Sequence, residues 1–148
     1  MFCIIVCFLF ISPIFLHAQM AAEMETILET PIITCGEAAR FVLLSAEVTE
    51  DNGSAVTETA FDWAMKQGWL SKRSALNDYI TLGNLSLLVM NAFGFKGGLM
   101  YTLFPIPRYA FRTMVSRSVI QGAADPDMTV SGERLCIRPC GVKVRKNR

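Results

Sequence analysis

The feature that most limits the fold is an apolar stripe in the middle of the chain. Leu82, Leu85, Leu88, Val89 and Phe93 recur at the three- and four-residue steps of one helical face. Thr81 stands where an N-cap belongs, and Gly94, Gly97 and Gly98 stop the pattern. Four further segments carry helical signals. Gly36 to Val48 places Phe41, Leu44 and Val48 on one face, with the polar Ser45 interrupting it. Thr59 to Gln67 presents Ala60, Phe61, Ala64 and Met65. Thr59 is its cap candidate, Gly68 suits a left-handed exit, and Trp69 can fold back on the last turn. Pro107 opens a helix through Tyr109, Phe111, Met114, Val115 and Val119. Thr129 or Ser131 caps a short last helix through Leu135 and Ile137. Between them, residues 50–54 and 71–79 read as loops and Leu99 to Pro107 as an extended connector. No alternation of period two persists, so the spacing predicts a mainly α fold.

The full length of 148 residues has room for one ordinary domain. Residues 1–18 hold 15 hydrophobic residues and no charge. An apolar core, a Pro13 break and a small residue before Gln19 describe a secretory signal cut after Ala18, or secondarily after Ala21. The competing reading is an uncleaved anchor, since the first charge is Glu23 and about 20 residues can just span a bilayer. A membrane partner is expected only in that second case. Residues 19–35 are then expected as an extended leader, 36–140 as the helical domain and 141–148 as a basic tail. A lipoprotein signal is rejected, because Cys7 is too early and Cys35 lies beyond three glutamates.

The two halves of the domain repeat one another. Trp69-Leu70 matches Val119-Ile120 at an offset of 50, and Ile80-Thr81 matches Met128-Thr129 at an offset of 48. Two helix–loop–helix units follow, about 57–93 and 108–137, packed as one small domain. Trp63-Ala64, Gly68-Trp69-Leu70 and Ile80-Thr81 in the first unit, and Ile120-Gln121-Gly122, Asp125-Pro126-Asp127, Met128-Thr129 and Glu133 in the second, resemble S-layer homology repeats. With Gly97 to Tyr101 and Pro107 to Arg112 between the units, the chain is most similar to the degenerate form found in secreted spirochaete proteins. The resemblance implies a helical envelope module. Glycan-binding members of that family use three units and a basic residue directly after the Thr. Here two units are legible, and Leu82 and Val130 stand at those positions.

No phosphate-binding glycine loop, nucleophile elbow or zinc-protease motif is present. Past His17 the chain has no histidine, which excludes histidine-based acid–base or nucleophilic schemes. No enzyme, cofactor or metal site is therefore expected. Asp125 to Glu133 alternates oxygen side chains but has Val130 where a calcium loop needs Gly and Cys136 where it needs Glu, so a turn and cap are expected there. Cys35, Cys136 and Cys140 could supply one disulfide with one thiol left over, or stay as free thiols. The aromatics Trp63, Trp69, Tyr79, Tyr101, Phe104, Tyr109 and Phe111 are either core or sugar-stacking surfaces.

Charge is divided along the chain. Residues 19–62 carry nine acids and one base, and residues 63–148 carry four acids and 13 bases. Either the acidic part neutralises the basic part, or the basic half faces an anionic polymer or headgroup. Arg108, Arg112, Arg117 and Arg134 are the candidate anion-binding residues. Nucleic acid does not suit an exported chain. These features point to an exported, non-enzymatic protein of the periplasm or cell envelope, with a structural or interaction role. The alternative is a binding module for an anionic envelope glycan or peptidoglycan through the basic half; another envelope protein is the other expected kind of partner.

Overall fold

The computed structural model describes residues 25–46, 48, 56–121 and 124–136. The apolar segment 1–18, Cys140 and the basic tail lie outside them. The described residues are helical and contain no strand. Residues 25–29 form α1. The others are α2 (Cys35–Ser45), α3 (Thr57–Lys66), α4 (Leu82–Ala92), α5 (Leu99–Leu103), α6 (Pro107–Ser116) and α7 (Gly132–Cys136). None of the described helices is long and apolar enough to cross a membrane.

The local rules explain most of the boundaries. Thr81 caps α4, its hydroxyl accepting from the Asn84 N–H at 3.3 Å. Pro107 sits in the first turn of α6, where a missing N–H costs nothing. Gly68 ends α3 at φ +72°, with the Trp69 N–H donating to the Ala64 carbonyl and the Gly68 N–H to that of Met65. That pair of bonds is a Schellman exit. Trp69 does fold back, meeting Trp63 edge to face with ring centroids 4.7 Å apart. Gly94 repeats the same exit after α4.

Several expectations are corrected. Helix α2 starts at Cys35, one residue before Gly36, because Thr34 and Glu37 form a reciprocal capping box. The leader is not extended throughout: residues 25–29 are helical, and Ile33 and Cys35 are buried. The buried face of α2 is Ala38, Ala39, Val42 and Leu43, while Phe41 and Leu44 are half-buried. The two alanines let α2 lie close on α3. Helix α3 begins before Thr59, whose hydroxyl donates to the Val56 carbonyl instead of capping. Leu99 to Leu103 is a helical turn and not part of an extended connector. Its leucines and methionine are good helix formers, bounded by Gly98 and Pro105. Helix α6 stops at Ser116 and leaves Val115 exposed.

Helix α2 packs on α3 and α4 on α6, and α2 also meets α4. Helix α4 is therefore covered on two sides. Leu82, Leu85 and Leu88 join a core with Ile33, Ala38, Val42, Phe61, Phe111 and Val130. Leu87 and Met90 join a second core with Tyr101, Ala110 and Met114.

Three long-range ties form a closed cycle of backbone bonds. The Ile33 N–H donates to the Val130 carbonyl (2.9 Å), Val130 to Ile80 (3.2 Å), and Ile80 to Ile33 (3.0 Å). All three side chains are buried at 0–1% exposure. Each is followed by a helix start whose cap hydroxyl accepts three residues on: Thr34 from Glu37, Thr81 from Asn84, and Ser131 from Arg134. The cap of the last helix is thus Ser131 and not Thr129. The equivalent of Ile80 is Val130, not Met128, which removes the offset of 48. An offset of 50 then also relates α3 to α6, Ala60 and Phe61 to Ala110 and Phe111, and the Gly68 exit to that of Ser118 at φ +58°. It further relates the loop carbonyls: Asp78 and Leu76 accept from Cys35 and Gly36, as Met128 and Pro126 do from Leu82 and Gly83. Gly132 completes the set by donating to the Thr30 carbonyl, and a Cβ at 132 would collide with the Ile27 carbonyl.

Candidate functional site

An apolar cleft opens where α2, α4, α6 and α7 converge. Helix α2 contributes Phe41, Val42 and Ser45, and α4 contributes Leu82, Leu85, Ser86 and Val89. Phe93, Phe95, Met114, Val119, Ile120 and Leu135 complete the apolar lining, with Arg134 the one charged residue among them. The cleft exists because α4 carries apolar side chains around most of its circumference while α2 and α6 cover different sides of it. Its volume is about 110 Å³. Engineered apolar cavities of about 150 Å³ accept a benzene-sized ligand, so this one has room for a smaller apolar group.

The polar lining offers little chemistry. The Ser86 hydroxyl donates to the Leu82 carbonyl at 2.6 Å, and the Ser45 hydroxyl to that of Phe41 at 2.7 Å. Both are thus turned back onto their own helices. Arg134 is exposed and reaches the Met128 sulfur at 4.0 Å. The cleft holds no nucleophile beside a base; it can bind an apolar group and place an anion against Arg134.

The sequence-predicted residues are distributed over several elements. Arg108 and Arg112 are exposed one turn apart on α6. Arg117, the C-cap of α6, donates to the Lys96 carbonyl and ties down the chain entering α5. Arg134 lies on α7 at the cleft. Cys35 is a buried free thiol on α2. Burial pushes its pKa up, a Ser74 hydrogen bond lowers it, and the nearby Asp78 charge raises it again. Such a thiol is protonated and a poor nucleophile at neutral pH. The side chains of Cys136 and Cys140 lie outside the described residues. At 125–134 there is a turn and a cap: Asp125 accepts from the Asp127 N–H at 2.9 Å, and Ser131 caps α7. Among the described residues no group of three metal-ligating side chains converges. Of the aromatic group, Tyr101 and Phe111 are core, Trp63 and Trp69 meet edge to face, and Tyr79 and Phe104 are exposed.

Sequence reasoning did not find the cleft, since its lining comes from elements far apart in the chain. It also read past Thr34, although Thr34 and Glu37 have the spacing of a capping box and Ile33-Thr34 matches Ile80-Thr81 at an offset of 47. No protein-family model, curated protein or solved structure matches the chain.

Proposed function

We propose that the protein is an exported, non-enzymatic interaction module of the cell envelope, built on a scaffold that resembles S-layer homology repeats. The observation that carries this reading is the cycle joining Ile33, Ile80 and Val130, each placed just before a capped helix start. It adds a third helix start, at Thr34, to the two legible in the sequence. The offset of 50 between α3 and α6 supports the same kinship. The non-enzymatic part rests on the missing histidine beyond His17, and the export on the apolar segment 1–18.

The positions after the three caps are Cys35, Leu82 and Gly132. None is basic, so the glycan chemistry that the family places there has no counterpart in this chain. Anionic glycan binding is the second reading, favoured by the exposed pair Arg108 and Arg112 on one face of α6. Incubation of the purified protein with isolated envelope and with purified wall polymer tests both. Retention on the envelope is expected. Salt-sensitive retention on wall polymer, lost in Arg108→Gln/Arg112→Gln, selects the glycan reading. Failure to be retained by either at low salt refutes both. N-terminal sequencing of the mature protein tests export, since a product that keeps Phe2 to Leu16 contradicts cleavage.

A further inference from the structure

Five of the exposed large apolar residues fall in one short stretch. Leu99 is 74% exposed, Met100 56%, Leu103 59%, Phe104 59% and Ile106 45%. Isolated exposed apolar residues need no explanation, but five within eight positions form a patch. The patch follows from how α5 is held. Its buried residue, Tyr101, packs with Leu87, Met90, Ala110 and Met114, and its hydroxyl donates to Asn91 Oδ1 at 3.3 Å. Leu99 and Leu103 stand two residues either side of Tyr101, so helical geometry turns both of them away from it. The Thr102 hydroxyl donates to the Gly98 carbonyl, and Arg117 holds the Lys96 carbonyl. The turn is thus fixed from beneath, with its apolar side outward.

Along the chain, the charge on and around this stretch is of one sign. From Tyr79 to Ala124 the chain has no acid and four bases: Lys96, Arg108, Arg112 and Arg117. All four are exposed. Arg108 and Arg112 lie on the outward side of α6, which follows the patch after Pro105 and packs against α5. An apolar patch beside basic side chains, on an element lying at the surface, is the arrangement that seats in the interface of an anionic bilayer.

We propose that α5 and the exposed side of α6 form a docking surface for an anionic phospholipid membrane. Leu99, Met100, Leu103, Phe104 and Ile106 enter the headgroup–acyl boundary, and Lys96, Arg108 and Arg112 meet the phosphates. This goes beyond the envelope reading, because it names the surface and its partner and does not depend on the repeat kinship. It also needs no membrane-spanning segment.

Co-sedimentation of the full chain with vesicles tests it, using phosphatidylcholine alone and phosphatidylcholine with about a quarter phosphatidylglycerol. Stronger binding to the anionic vesicles, weakened by salt, is expected. Leu103→Ser/Phe104→Ser lowers the binding constant by roughly tenfold or more. Each of Arg108→Gln and Arg112→Gln lowers it about fivefold. These side chains are exposed, so the melting temperature stays unchanged and folding is not in question. Residues 1–18 are common to all variants, so the differences report on the patch. Undiminished binding of Leu103→Ser/Phe104→Ser overturns the proposal, as does a folded wild-type chain that ignores anionic vesicles. A dimer that the same substitutions dissociate, without vesicle binding by the wild type, overturns it in favour of a second copy.

Discussion

Ile80→Ala should be among the most damaging single substitutions in the molecule. Ile80 has no exposed surface, and it packs where the three chain segments of the backbone cycle meet. The substitution removes three carbon groups, a transfer loss of about 2.4 kcal/mol at 0.8 kcal/mol each. A cavity term adds to that wherever the surroundings cannot close in. Ile33 and Val130 are held in place by bonds of 2.9–3.2 Å to the Ile80 backbone and to each other, so collapse is restricted. The expected loss is therefore about 3–4 kcal/mol, within the 2–5 kcal/mol range for such truncations. Against a total of roughly 5–15 kcal/mol for a domain, this is a large fraction. Urea unfolding followed by far-ultraviolet circular dichroism measures it, with an unchanged slope and a midpoint lowered by about 1.5–2 M. Ile106→Ala is the control, since Ile106 is 45% exposed and should cost no more than about 0.5 kcal/mol. A loss at Ile80 below about 1 kcal/mol, or one equal to the control, would refute the idea that the cycle is the packed centre of the fold.

Three further predictions concern termini and titration. Ser131→Ala should cost about 1 kcal/mol in thermal or urea unfolding and Thr129→Ala almost nothing, because Ser131 caps α7; the reverse order would reject the offset of 50. Ser118→Gly should stabilise by about 0.5–1 kcal/mol and raise the melting temperature by roughly 3–6 °C, since Ser118 occupies φ +58° where Gly68 and Gly94 serve the same role. A lower melting temperature would contradict the strain argument. Cys35 should react with a thiol reagent far more slowly in the native protein than in urea. Its folded pKa is raised, so its contribution to stability is complete below the unfolded thiol value, about 8.5, and is lost as pH rises through the folded value. Cys35→Ala should flatten that alkaline decline, and an unchanged decline would assign it elsewhere.

Local signals carried the parts of the fold that local chemistry decides. Thr81, Gly68 and Pro107 each act through groups within a few residues, and each stands where its residue type predicts. The register of the second unit was harder to read. Met128-Thr129 resembles Ile80-Thr81 better than Val130-Ser131 does, yet Val130 holds the buried position, because cross-chain backbone bonds set the register. Helix α5 escaped notice because five residues between Gly98 and Pro105 are too few to show a period. The candidate arginines were legible as charge but not as placement: Arg117 serves the chain itself, Arg134 lies at the cleft, and only Arg108 and Arg112 stand as a pair. The patch at 99–106 was visible only once Tyr101 was seen to take the single inward position.

The cycle through residues 33, 80 and 130 also bears on how the chain folds. Its members lie near both ends and the middle of the described chain, so no contiguous fragment short of residue 130 can close it. The helix starts before and after it lean on the same loops, which couples their formation to closure. During synthesis, α2, α3 and α4 can form and pair, but the Ile33 amide must wait for Val130 to arrive. Closure of the core therefore comes after the pairing of these helices, once residue 130 is in place. The amides of Ile33, Ile80 and Val130 should then exchange with solvent only through global unfolding, while those of α5 exchange through local opening.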